Sequence, residues 1–344
     1  MRLPRPRGPI SAAVIDALGG GDPALPQCPR TPDDVLADDD LQVALWSLYE
    51  LHYRGFADVS DGWEWDPRLI ALRRKLEAML LAALHAEVTV QAEVTAQAGV
   101  TVQPDGRRVA DRLRRLVEAD DGPPLSRFLQ TRADRNQWLE FVVQRSVYQL
   151  KEADPHSWAI PRLPARAKSA LMEIQADEYG GGDPARMHSE LFRVLMNELG
   201  LEDDYGAYVD VVPGITLAIS NTMSMFGLQR ALRGAVVGHL AAYEMTSSEP
   251  CRRYAKGLRR LGGSDAACAF YDVHVTADAL HEQLAAYDLC EGLAAAEPEL
   301  SEDIIFGAAA CLAVDNRFAR HVLDSWDAGR SSLREADAVL GAVS

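Results

Sequence analysis

The chain has 344 residues, 35 basic against 51 acidic side chains, a formal net charge of −16, and 48% hydrophobic residues. That is enough apolar sequence for a sizeable core, in one large domain or roughly two of about 150 residues each, and too much for wholesale disorder. The acidic balance argues against nucleic acid or an anionic membrane surface as partner, because both are held by clustered Lys and Arg.

Residues 1–39 are rich in Pro, Gly and Asp and read as a flexible N-terminal arm with little core of its own. Pro4, Pro6, Pro9 and Asp16 interrupt it too early for a signal-peptide core. Residues 40–106 read as an N-terminal helical extension: Val43, Leu45, Trp46, Leu48 and Leu51 fall near helical spacing, as do Leu69, Leu72, Leu76, Leu80 and Leu84. Within it, the Val/Thr repeat between Glu87 and Gln103 reads as an insertion in preference to a short hairpin. A charged helix follows near Arg107–Glu118.

Beyond it the periodicity predicts helices near Arg135–Glu152, Arg162–Glu178, Pro184–Leu199, Thr216–Leu228, Ala231–Ser247, Cys251–Leu261, Asp265–Ala296 (broken or continuous) and Pro298–Trp326. Gly180–Gly182 end one helix, and Asp183–Pro184 supply a cap and a preset first residue for the next. β-branched strand patterns are absent from residue 135 onward, so the expected fold is an all-α bundle. No apolar run approaches the ~18 residues of a membrane span. Cys28, Cys251, Cys268, Cys290 and Cys311 are odd in number and never in CxxC spacing, which fits a cytoplasmic protein without a disulfide framework or zinc ribbon.

The chemistry-bearing residues sit on these helices. His274, Asp278 and His281 lie within about 40° of one stripe at ~100° per residue, spread over about 10 Å of axis. Val273, Ala277 and Leu280 flank the stripe, which therefore faces inward. Three such side chains on a buried face are costly unless something satisfies them, and imidazole plus carboxylate suits iron, manganese or zinc. The plain alternative is a partly exposed Asp–His pair. Glu178 and His188 flank the glycine break, where a helical hairpin can bring them together; Glu173, Asp177 and Glu190 compete as surface carboxylates. Glu244 follows an almost charge-free stretch and has Arg252 or Arg253 as ordinary partners, while Glu152 closes an apolar helix.

Carboxylates on four helices with three histidines follow the logic of di-metal helix bundles. The ferritin-like version needs Glu-x-x-His twice, and the chain lacks it. The order Glu152-x25-Glu178-x9-His188, then Glu244, then His274-x3-Asp278-x2-His281 resembles the heme-oxygenase-like di-iron oxidases and oxygenases, the iron-containing redox enzymes, over roughly residues 107–330.

The resemblance implies an all-α, heme-oxygenase-like helical bundle over residues 107–344, with the N-terminal helical extension outside it. It implies two iron ions, cycling between Fe(II) and Fe(III), with O2 as co-substrate and a peroxo-diferric intermediate. Glu152, His188 and His281 would serve mainly one iron. Glu178, His274 and Asp278 would serve mainly the other, with Glu178 or a neighbour bridging. Glu244 matches an extra carboxylate of the N-oxygenating subgroup, a catalytic role. The implied substrate is a small amine, amino acid or fatty acid. An external electron donor is expected, because the chain has no GxGxxG after a strand, no Walker A motif and no iron–sulfur cysteine spacing; a homodimer is compatible with all of this.

Two rivals use the same fold. A cofactor-free hydrolase resembling thiaminase II needs an activated cysteine, and Cys251 and Cys268 have no evident activating neighbour. A non-catalytic iron-binding or oxygen-responsive protein needs only the ligands. Arg145, Tyr148, Tyr205, His239 and Arg252 are read first as surface or packing residues, and Glu50 and His52, ~200° apart on a helix, make no common site by themselves.

Overall fold

The computed structural model describes residues 1–22, 24–26, 29–97 and 108–336, with backbone alone for 91–97 and 277–279. Cys28 lies outside the described residues. Every regular element among them is helical, as the periodicity predicts.

The N-terminal stretch departs from the featureless arm expected of it. Helix α1 (Pro9–Leu18) starts on a proline whose preset φ suits a first helical position, and it buries Val14 and Leu18 against α2 (Asp39–Glu50). Asp40 fastens the two together by accepting from the Ile10 and Ser11 amides, at 2.9 and 2.7 Å. Helix α3 (Pro67–Gln97) buries Leu69, Leu72, Leu76, Leu80 and Leu84 at i, i+3, i+4 spacing. It also runs on through Glu87–Gln97, so this part of the Val/Thr repeat is helix and not an insertion. β-branched residues cost a helix only tenths of a kcal/mol each, and the intervening Ala, Gln and Glu are good helix formers. The rest of the repeat lies outside the described residues.

Helices α4 (Val109–Glu118) and α5 (Leu125–Thr131) lead to α6 (Arg135–Gln149), which opens on a reciprocal Asp134–Gln137 capping box. Helix α6 stops three residues short of the expected Glu152, and a turn leads into the short α7 (Asp154–Ser157). Then come α8 (Ala165–Glu178), α9 (His188–Glu198), the almost wholly buried α10 (Gly214–Leu228), α11 (Arg233–Thr246) and α12 (Ser248–Arg260). The predicted helix Asp265–Ala296 is interrupted: α13 (Asp265–Gln283) passes through a wider π turn (Leu284–Cys290) into α14 (Glu291–Ala296). Such π turns are frequent at functional sites. Helix α15 (Ser301–Asp327) closes the series.

The centre of the bundle is the crossing of α11 on α15. A Cβ at Gly238 would collide with the Ile304 carbonyl, and one at Gly307 with the Ala235 carbonyl, so only glycine at both positions lets these helices approach this closely. Helix α13 packs on α12 and α9, and α10 packs on α2. Among the described residues no helix is long and apolar enough to cross a membrane.

Candidate metal centre

Four separate pieces of chain bring carboxylates and imidazoles to one interior. Glu178 is the last residue of α8 and His188 the first of α9, one turn earlier in its helix than the sequence predicts, because Pro184–Arg186 form a separate 3-10 turn. Between them Gly180, Gly181 and Gly182 take φ values of 74°, 62° and 91°, a left-handed run that side-chain-bearing residues adopt only at a cost. This reversal sets the His188 Nδ1 2.9 Å from Glu178 Oε2. Glu152 arrives from the turn after α6, Glu244 from α11, and His274 and His281 from α13.

Two donor groups result. Glu152, Glu178, His188 and His274 each place a ligand-type atom within 4.8 Å of one another, and so do Glu178, Glu244 and His281. Glu178 belongs to both. The division differs from the one implied by the resemblance: His274 joins Glu152 and His188, and His281 stands apart with Glu244. Seven residues along one helix separate the two histidines by about 10 Å of axis, so α13 delivers one imidazole to each donor group. The Asp278 side chain lies outside the described residues. Glu244 does not pair with Arg252 or Arg253, both of which contact Glu249; it lies 3.3 Å from His281 Nδ1.

Outer contacts orient both α13 histidines. His274 Nδ1 donates to the Phe270 carbonyl at 2.7 Å, which turns the Nε2 lone pair toward Glu152, 3.6 Å away. His281 Nε2 donates to Asp177 at 3.0 Å and leaves Nδ1 facing Glu244. Carbonyl and carboxylate partners of this kind fix the tautomer of metal-ligating histidines. Tyr148 donates to Glu152 Oε1 at 3.2 Å. Asp177, half exposed, reads in sequence as a solvated carboxylate, and nothing local marks its partnership with a histidine 104 residues away.

The interior electrostatics are those of a site waiting for positive charge. Burial alone would raise the Glu178 carboxyl, but His188, His274 and His281 outweigh it and hold it below its ordinary range. Burial alone would lower His281, but Glu244, Asp177 and Glu178 outweigh it and push it up to about 9. Glu178 Oε2, His188 Nδ1 and His281 Nδ1 are buried without an aligned hydrogen bond among the described residues. Buried polar atoms left so are costly and scarce, and here all three point into the donor groups. Carboxylate oxygen with neutral imidazole nitrogen is the donor chemistry of iron, manganese or zinc. These residues fit bound metal, with Glu178 common to both donor groups.

A cavity of about 430 Å³ opens from Glu152, Glu178, Glu244 and His274. Its walls are aromatic, with Tyr148 stacked on Tyr243 at 5.3 Å. It runs along α6 to Arg145, which stands about two helical turns before Glu152 in sequence and lines the same cavity. Arg145 lies 2.9 Å from Asp315, with its side chain 12% exposed, and the pairing outweighs the cost of burial and keeps the guanidinium charged. Arg145 and Tyr148, read as packing residues, thus line the cavity, whereas Arg252 is the surface residue expected. Burial pushes the Cys268, Cys290 and Cys311 thiols up, which removes the activated thiolate a thiaminase-like hydrolase would need from them.

Residues 139–316, just over half of the chain, match the family described as iron-containing redox enzymes. The chain is also similar to a nitrosourea synthase from Streptomyces achromogenes subsp. streptozoticus, at 27% identity over 163 residues. That alignment covers 47% of this chain and 35% of the synthase, so the chain spans about a third of the relative's length.

Proposed function

Since the chain belongs to the family of iron-containing redox enzymes, we propose that it is a non-heme di-iron oxidase or oxygenase that uses O2 on a small, nitrogen-bearing organic substrate. The all-α bundle is the heme-oxygenase-like fold of that family, preceded here by a helical extension. The observation that carries the proposal is the position of Glu178, common to two donor groups in which Glu178 Oε2, His188 Nδ1 and His281 Nδ1 are buried without an aligned hydrogen bond among the described residues. In this reading Glu152, His188 and His274 hold one iron, His281 and Glu244 the other, and Glu178 bridges; Asp278, whose side chain is not described, remains a proposed ligand of the pair.

Bound ferrous ions would supply the electrons that reduce O2, with an external donor restoring them. The chain's own contribution is arrangement. Phe270 and Asp177 lock the imidazole lone pairs inward, Glu178 is buried, and Tyr148, Tyr243, Tyr254 and Phe141 give the cavity an aromatic wall section. Glu244 adds a carboxylate beside His281, 3.3 Å from its Nδ1, and would be available to hold a metal there. Likeness to a nitrosourea synthase and this extra carboxylate favour oxidation at nitrogen over desaturation.

Among amines, amino acids and fatty acids, the cavity suits an amino acid. Arg145 offers charge-assisted donors to a carboxylate, and Asp315 beside it accepts from an ammonium. Arg145→Met is expected to raise KM roughly 10–100-fold, the worth of about 1.5–3 kcal/mol for a charged hydrogen bond, with iron content and kcat unchanged. Steady-state kinetics on amino acids and on their decarboxylated amines checks it; an equal loss on both would show that Arg145 does not read the carboxylate.

The function itself is tested by loading the metal-free chain with Fe(II) under argon and then admitting O2. Two irons per chain and O2 uptake that amino-acid substrates accelerate are the expected result. Iron binding with no substrate-dependent uptake would identify an iron-binding protein without catalysis.

A further inference from the structure

A second polar cluster lies behind the metal centre, outside the cavity. Its members are Glu50 at the end of α2, Lys151 in the turn after α6, and Tyr205 before α10. Lys151 and Glu50 form an ion pair in which neither side chain reaches solvent. The Tyr205 hydroxyl contacts both Glu50 oxygens, at 2.9 and 2.7 Å. The Lys151 ammonium also lies 4.5 Å from the Tyr53 ring centroid and 5.9 Å from that of Trp46. Both rings belong to the N-terminal extension, outside the family-matched residues 139–316.

Lys151 is the residue immediately before Glu152. Helix α6 has ended at Gln149, so no regular helical hydrogen bonding dictates where residue 152 points; the nearest amide contact, Glu152 N to Gln149 O, is 3.5 Å. Consecutive side chains of this turn point to opposite sides. Lys151 enters the extension, and Glu152 faces Tyr148 and His274. A buried lysine cannot drift from the carboxylate it pairs with without leaving two buried charges uncompensated. The pair therefore pins the backbone from which Glu152 projects.

We infer that Glu50 is a positioning residue for the metal centre: through Lys151 it fixes Glu152, so the N-terminal extension sets the affinity of the metal subsite made by Glu152, His188 and His274. This rests on the two-metal reading above. Partners that orient a ligand from outside the coordination sphere are worth about 10–100-fold in metal affinity. Among the described contacts none joins Glu244 or His281 to Glu50, Lys151 or Tyr205, so their subsite should be indifferent to this cluster.

The metal-free full-length chain is titrated anaerobically with Co(II), whose visible bands report coordination, alongside calorimetry. The wild type should take up two equivalents, and Glu152→Ala should lose one. The E50L/K151M variant replaces a buried pair with apolar side chains, a change that folds are known to tolerate. It should bind one equivalent as the wild type does and the other roughly 10–100-fold more weakly, with altered bands. Lys151→Arg, which keeps the charge, should retain more of that affinity. Two equivalents at wild-type affinity in E50L/K151M, with an unchanged helical signal, overturn the inference and leave the two-metal reading intact. If the double variant does not fold, Tyr205→Phe is read in the same way: it should weaken the same single equivalent, and unchanged binding overturns the inference. A wild type that binds fewer than two Co(II) overturns the two-metal reading and this inference with it.

Discussion

Glu178→Ala is expected to empty both metal subsites at once. Every other described donor of the cluster serves one group, so its removal leaves the second group complete; Glu178 alone is common to both. Partners that merely orient a ligand are worth about 10–100-fold in metal affinity, and a shared ligand must exceed that at each site. Iron per chain should therefore fall from about two to a small fraction of one, with turnover lost in proportion. Glu244→Ala serves as the contrast, keeping one iron. The fold should survive E178A, because Glu178 ends its helix and has no aligned protein hydrogen bond at Oε2. Metal analysis with circular dichroism decides the matter. Retention of one full iron in E178A would show that the carboxylate does not bridge.

The second large effect is an acid destabilisation that involves no metal. His156 and His239 face each other at 3.4 Å, both buried, on α7 and α11. Burial pushes His156 down to about 4, and burial together with His156 pushes His239 well below its ordinary range. Both are neutral in the folded chain, while in the unfolded chain each titrates near pH 6.5. Between those values the unfolded state binds more protons, so stability rises with pH there. It is complete above about pH 6.5 and is lost on the way down to 4. By pH 5 His156 alone takes about 2 kcal/mol from the folded state. His281, raised to about 9, has the opposite sign in the metal-free chain: its contribution is whole below about 6.5 and fades as pH climbs through 9. The acid limb thus belongs mainly to the buried pair, with His52, also pushed down by burial, acting in the same direction. Urea unfolding of the metal-free protein at pH 7 and pH 5 should show a drop that H156Q/H239Q largely abolishes. An equal drop in both proteins would assign the acid sensitivity elsewhere.

Much of the bundle was legible in the chain. Apolar residues at helical spacing placed α2, α3, α6 and α8 through α13, and the glycine run before Asp183 marked the reversal that sets Glu178 against His188. Where the reading failed, local pattern had lost to context. The Val/Thr alternation up to Gln97 looks unlike a helix, but propensity differences of tenths of a kcal/mol do not interrupt a helix already packed through Leu69 to Leu84. Residues 1–39 looked too rich in Pro and Gly to pack, yet one short apolar run, Val14 to Leu18, found a partner in α2.

The donor set behaves in the same way. Residue type and order along the chain, with the family resemblance they carry, singled out Glu152, Glu178, His188, Glu244, His274, Asp278 and His281, and the fold brings all of these but Asp278, whose side chain lies outside the described residues, into the two donor groups. Their division was not readable. Whether His274 or His281 stands with Glu152 depends on how α13 slides past α9 and α11, and no local spacing records the offset between helices far apart in sequence. Asp177, Arg145 and the Glu50–Lys151 pair were hidden for a related reason. Each looks like an ordinary surface charge until the tertiary structure shows its partner, and a charge acquires its meaning from what neutralises it. The sequence by itself determined the helices and the chemical identity of the candidate ligands, which are properties of short segments. Only the fold decided which of them stand together in one donor group and what holds them there, because those are distances between segments, set by packing.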